Sequence, residues 1–176
     1  MIICPRDNLE FSILFRDLAV MVVGHERILG FLNKILERKI PIHGFLFAGP
    51  EGVGKKFVAT LFAKGILCEN SIFGGCRKCA SCKEFLSLNG SHRDFLLVES
   101  KPDEPYGIET SRVVISFLSS QPQLSQRQVV ILDNADELSD EAKNALLKIL
   151  EEPPKDAVII LVTSKPAKLP ETIRSR

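Results

Sequence analysis

No sign of charge dominates this chain. Its 176 residues carry 23 lysines and arginines against 22 acids, a net charge of +1, so no long-range field draws it to nucleic acid or to an anionic membrane. It also lacks a basic run and any interleaving of basic with aromatic residues, so DNA contact by this chain alone is not expected. Long hydrophobic runs are missing too. VVIL (129–132) and VIILV (158–162) are among the longest, and neither comes near the length that crosses a bilayer. The opening MIICPRDNLEFSILF has no basic start followed by a long apolar core and a small-residue cleavage site, so no signal peptide is expected. These absences together lead to the expectation of a cytoplasmic protein. In that reducing compartment clustered cysteines more often hold metal than form disulfides.

What is present is ordinary for a globular protein: 45% hydrophobic and 26% charged residues. The length suits one domain with a sizeable core. Residues 1–21 show no clean period, and Met21 opens MVVGHERILGFL, a natural beginning. Residues 1–21 are therefore expected to be a poorly ordered extension or an over-called start, and residues 22–176 the domain.

From Gly44 onward, short apolar runs alternate with helical patterns, as in a parallel sheet covered by helices. GFLFAG (44–49), DFLLVES (94–100), QVVILDNA (128–135) and AVIILVTS (157–164) read as strands, apolar on both faces. Ile28, Leu29, Leu32, Ile35 and Leu36 recur at helical spacing after His25. Ser139 is placed to cap a helix with Asp140 and Glu141 in its first turn. Ala142, Ala145, Leu146, Ile149 and Leu150 form its apolar face, and Pro153 and Pro154 close it.

GPEGVGKK (49–56) nearly spells a phosphate-binding loop, G-x-x-x-x-G-K-[ST]. In such a loop glycines let backbone N–H groups wrap phosphates, the lysine neutralises them, and the final hydroxyl ligates Mg²⁺. Gly49, Gly52, Gly54 and Lys55 follow a strand and precede a helix, the right context; the bland alternative is a glycine turn between core elements. Lys56 stands where the hydroxyl belongs. An ammonium there ligates no cation and places a second positive charge beside the metal's position. The partner motif, a strand ending in a metal-holding acid and then a glutamate base, reads VVILDNADEL. Asp133 supplies the acid, but Asn134 replaces the glutamate, and an amide is no general base. With the metal ligand and the base both gone, ATP and Mg²⁺ are not expected to bind productively.

Cys68, Cys76, Cys79 and Cys82 lie within a short span beside Gly74 and Gly75. Four thiolates close a tetrahedral shell round Zn²⁺, leaving no position for water, so the expected role is structural. A redox C-x-x-C pair is the alternative, but it needs only two of the four. Cys4 is isolated. His25, His43 and His92 lack ligand spacing and are assigned no catalysis.

GHERILGFLNKIL, HGFLFAGPEGVGKK, the four-cysteine insert, SDEAKNALLKILEEPP and the closing IRSR, in this order, resemble the amino-terminal AAA+ domain of bacterial DNA polymerase III clamp-loader subunits. The resemblance runs from about Val22 to Arg176. It implies a three-layer P-loop NTPase-like domain with a parallel five-stranded sheet and a zinc-binding insert (68–82), followed in family members by a lid and a collar. Neither follows Arg176 here, so the sequence reads as a fragment. Within the family, the departures at Lys56 and Asn134 look like the delta-prime type, which completes the ring without hydrolysing ATP, and not the gamma/tau ATPase. By the same resemblance Thr163 matches a polar sensor near the gamma phosphate, and His25 lies in a segment that packs near the adenine. Ser175 and Arg176 match the first two positions of a serine, arginine, cysteine motif whose arginine enters a neighbour's ATP site; the cysteine is missing. The implied partners are gamma/tau and delta subunits, and, through the assembled complex, the sliding clamp and primed DNA. Two other readings stand beside this one: an active gamma/tau-type ATPase, and a regulatory subunit that holds nucleotide without turnover.

Overall fold

A computed structural model describes residues 25–87, 91–100 and 106–174. Its centre is a parallel sheet of β1 (Gly44–Ala48), β2 (Phe95–Val98), β3 (Gln128–Leu132) and β4 (Ala157–Thr163), in the order β1-β4-β3-β2. The inner strands β3 and β4 are buried at every residue. Their side chains alternate between faces with period two. Val129, Ile131, Val158, Ile160 and Val162 join one apolar cluster, whereas Val130, Leu132, Ile159 and Leu161 join another. Helices α1 (Glu26–Glu37), α2 (Lys55–Leu67) and α3 (Ala80–Ser87) contribute to the first cluster; α4 (Ile108–Ser119) and α5 (Asp140–Glu151) contribute to the second. A short α6 (Glu171–Arg174) adds Ile173 to the second cluster. The result is three layers, α/β/α.

Two expectations are corrected. The sheet has four strands among the described residues, not five. Beyond β4 the prolines Pro166 and Pro170 divert the chain into a single 3₁₀ turn, Pro166–Lys168, and then α6, because proline lacks the N–H a ladder needs. The outer strands are also less buried than their sequences suggest: β2 is half-buried throughout, and β1 is half-buried except at the exposed Ala48. Each has a sheet neighbour on one side only.

The helix readings hold at their caps and shift at their edges. Ser139 caps α5 by accepting the Ala142 N–H at 3.2 Å. Ile28 in α1 is 48% exposed, while Leu29, Leu32, Ile35 and Leu36 are buried, so the apolar stripe is narrower than expected. The expected extension at residues 1–21 lies outside the described residues, as do Ser175 and Arg176.

Candidate functional site

Parallel strands bring their C-terminal ends to one edge of the sheet, and the register decides which residues meet there. Val98 pairs with Leu132, so the residues that follow, Glu99 and Asp133, emerge side by side. Ala48 pairs with Thr163, and the Gly49 N–H donates to the Thr163 carbonyl at 3.3 Å. The glycine loop, Asp133 and Thr163 thus gather at one end.

The loop takes its shape from Gly52 and Gly54, at φ +77° and +84°, a left-handed backbone that glycine adopts without penalty. Helix α2 starts at once with Lys55 and Lys56. Lys55 Nζ turns back to donate to the Pro50 carbonyl at 2.6 Å. Lys56 Nζ reaches across to Glu99 Oε1 at 2.5 Å and Asp133 Oδ2 at 2.9 Å. Hydrogen bonds to Glu99 first and then Asp133 raise its pKa above the ordinary lysine value, since both stabilise the ammonium. One cation therefore satisfies two carboxylates.

Asn134 sits in the left-handed region at φ 51°, which asparagine tolerates better than most side chains. Its Nδ2 donates to Ser100 Oγ at 3.1 Å. Thr163 is fully buried. Its hydroxyl donates to Asp136 Oδ1 at 2.5 Å and accepts the Lys165 N–H at 3.0 Å. Burial pushes the Asp136 carboxyl up, but the bond from Thr163 and backbone N–H groups prevail and hold it below the usual range. Beside the loop, His25, Ile28, Phe31, Phe47, Val53 and Val58 line a cavity of about 400 Å³. His25 closes one wall by donating from Nε2 to the Val53 carbonyl at 3.0 Å.

Sequence reasoning missed three groups here. Glu99 was findable, as the residue that ends β2 next to Asp133 in a parallel register. Asp136 and Tyr106 left no such signal. The Tyr106 hydroxyl spans the Val98 and Asp133 carbonyls at 3.0 and 2.5 Å, tying together the strand ends that carry Glu99 and Asp133.

The cysteine cluster lies between α2 and α3. The sulfurs of Cys68, Cys76, Cys79 and Cys82 lie within 4.8 Å of one another. A tetrahedral zinc–thiolate site has sulfurs about 3.8 Å apart, given a bond of about 2.3 Å, and Cys76 and Cys82 stand at 3.9 Å. The Cys79 N–H points to Cys76 Sγ at 3.3 Å, the Cys82 N–H to Cys79 Sγ at 3.4 Å, and Asn70 Nδ2 to Cys76 Sγ at 3.4 Å. Such donors offset the charge of thiolates. The bond between Cys68 and Cys82 pushes the Cys68 thiol down and that of Cys82 up, as expected where close sulfurs share a proton. Gly75 has φ +88°, and a Cβ there would meet Cys82 Sγ at 2.9 Å. The donor set fits one four-sulfur metal ion.

His92 fastens this module to the sheet. It is buried, stacks on Phe85 with centroids 4.6 Å apart, accepts the Asp94 N–H at Nδ1 (3.0 Å) and donates from Nε2 to Ser81 Oγ (3.0 Å). Burial lowers its pKa, keeping the ring neutral in this structural role.

A parallel sheet whose first strand runs into a glycine turn, a lysine and a helix defines an α/β domain of the P-loop NTPase class. The family profile described as "DNA polymerase III, delta subunit" matches residues 24–176, and the chain belongs to this family of clamp-loader subunits. It is 38% identical over 156 residues to DNA polymerase III subunit tau of Bacillus subtilis, covering 88% of this chain and 27% of that protein. It is 36% identical over 136 residues to subunit delta' of Pseudomonas aeruginosa, covering 76% of this chain and 41% of the relative. A crystal structure of a gamma subunit-related protein from Thermotoga maritima superposes with a TM-score of 0.60 at 28% identity, over 84% of this chain and 43% of that one. The chain thus spans less than half the length of these relatives. Tau and delta' proteins match at similar identity, so the site residues must distinguish them. Among the described residues no helix is long and apolar enough to cross a membrane.

Proposed function

We propose that this chain is the amino-terminal domain of a non-hydrolysing, delta-prime-type clamp-loader subunit. The observation that carries the reading is the Lys56 ammonium bound to both Asp133 and Glu99. A P-loop ATPase keeps its acid free for the metal's water shell and places a hydroxyl beside it. Here an ammonium neutralises the acid from within the protein, and the residue after it, Asn134, offers no base. The domain then works as a fixed member of a ring with gamma/tau and delta subunits, helping to load the sliding clamp at primed DNA. Arg176 is proposed to reach the ATP site of the neighbouring subunit, where an arginine supplied in trans stabilises charge on the transferring phosphoryl group and is worth roughly 10³ or more in rate.

The cavity of about 400 Å³ beside Lys55 favours a second reading, in which a nucleotide base is held without turnover. Steady-state ATPase assays on a ring reconstituted with the full-length protein test the first. Arg176→Ala is expected to lower turnover at the one neighbouring site it completes by at least a hundredfold, with assembly unchanged on gel filtration. Unchanged turnover would remove the proposed arginine donation.

A further inference from the structure

The opposite end of the strands carries a second cavity, of about 270 Å³, between the C-terminal turns of α1 and α2 and the loop before β3. Its floor is apolar: Phe45, Phe62, Ile66 and Leu67, of which Phe62 and Leu67 belong to the buried core. Its lip carries two large apolar side chains left in solvent, Ile40 and Leu124, each 37% exposed. Lys39 and Arg127 stand on the same rim, and among the described residues neither pairs with an acid. The single carboxylate lining the cavity, Glu69, accepts the Ala80 N–H at 3.2 Å. One wall is the start of the cysteine module, Cys68 to Ser71.

The opening is fixed in shape. Asp94, fully buried, accepts the N–H groups of Gln123, Leu124 and Ser125 at 2.6, 2.8 and 2.6 Å, holding the loop that presents Leu124. On the other side the four-sulfur site anchors Cys68 at the end of α2. A rim of two unpaired cations round an apolar pocket complements a ligand that is apolar in the middle and acidic at its ends.

We infer that this cavity docks a short acidic peptide segment of a partner protein, inserting one or two apolar side chains between Lys39 and Arg127. A peptide fits the lip better than a small carboxylate does, because a molecule contained in the cavity leaves Ile40 and Leu124 in water, whereas a flanking backbone covers them. The cysteine module then has a second purpose, as the wall of a docking site. The inference does not rest on the reading of the phosphate loop, which lies at the other end of the sheet.

Fluorescence anisotropy with a fluorescein-labelled, end-blocked hexapeptide, Asp-Glu-Leu-Phe-Glu-Asp, tests it. Saturable binding to the chain is expected, weakened at least tenfold by the Lys39→Glu, Arg127→Glu double variant and by replacing the peptide's Leu-Phe with Ser-Ser. The double variant is expected instead to take the charge-swapped peptide Lys-Arg-Leu-Phe-Arg-Lys, which shows that its rim is intact. Absence of saturation with the native chain, equal binding of the Ser-Ser peptide, or indifference to the double reversal would each overturn the proposal. So would displacement by octanoate at affinity equal to the peptide's, which would assign the cavity to a small carboxylate. A dimer in sedimentation that the double variant dissolves would assign it to a second copy of the chain, with the same consequence.

Discussion

Replacing Lys56 with threonine is expected to make nucleotide binding depend on magnesium. In the native chain the ammonium lies 2.5 Å from Glu99 and 2.9 Å from Asp133. The variant removes the charge that holds both acids, restores a hydroxyl at the head of α2, and leaves Asp133 free to order a metal's water. Titration of a fluorescent ATP analogue should show at least a tenfold gain in affinity on adding Mg²⁺, with no hydrolysis, because Asn134 still supplies no base. Equal binding with and without the metal would show that the ammonium is not what keeps the cation out. Lys56 and Glu99 are about half exposed, and solvent screening keeps such a pair to about 1 kcal/mol or less. Because the folded pKa of Lys56 is raised above 10.5, this contribution is complete at neutral pH and fades only as the pH climbs from the ordinary lysine value through the folded one.

Losing one of the four clustered cysteines, or an ion that they are suited to hold, is expected to have the largest effect on the fold. The sulfurs of Cys68, Cys76 and Cys82 are buried together and closely spaced, and without an ion their proximity has only weak hydrogen bonds to and from sulfur to support it. Purified chain should contain one zinc per molecule. Cys76→Ser or exhaustive chelation should lower the melting temperature by roughly 10 °C, from a loss of about 3–5 kcal/mol at roughly 2–4 °C per kcal/mol for a chain of this length. The second cavity should lose its wall as well. A metal-free preparation with the same melting curve would make the cluster a set of ordinary reduced thiols.

Much of this architecture could be read from the residues. Strands β3 and β4 announce themselves as unbroken apolar runs because both faces are covered. Ser139 followed by two acids and closed by two prolines marks α5 by capping chemistry alone. The outer strands misled for the same reason: an apolar run reports what a residue prefers, not whether a neighbour arrives to cover it, and β1 and β2 have only one neighbour each. The fifth strand came from family resemblance and from no run in the sequence.

The site was legible in its departures from the phosphate-loop motif. Lys56 and Asn134 stand out because the motif around them is otherwise complete. The second acid bound to Lys56 was hidden, because Glu99 lies 34 positions before Asp133 in the chain and comes beside it only through the β2–β3 register. Thr163 illustrates the reverse limit. Its place at the end of β4 could be read from the sequence, but its bond to Asp136 depends on the turn after β3, which periodicity does not reveal.

The Lys56 ammonium is proposed to occupy, between Asp133 and Glu99, the place that a metal takes in a working phosphate-loop site. Isothermal titration of ATP into the native chain, with 5 mM Mg²⁺ and then with EDTA, tests it most directly. The same weak or undetectable heat is expected in both. Tight binding that appears only with Mg²⁺ would mean that Lys56 gives way to the metal, and would contradict that reading.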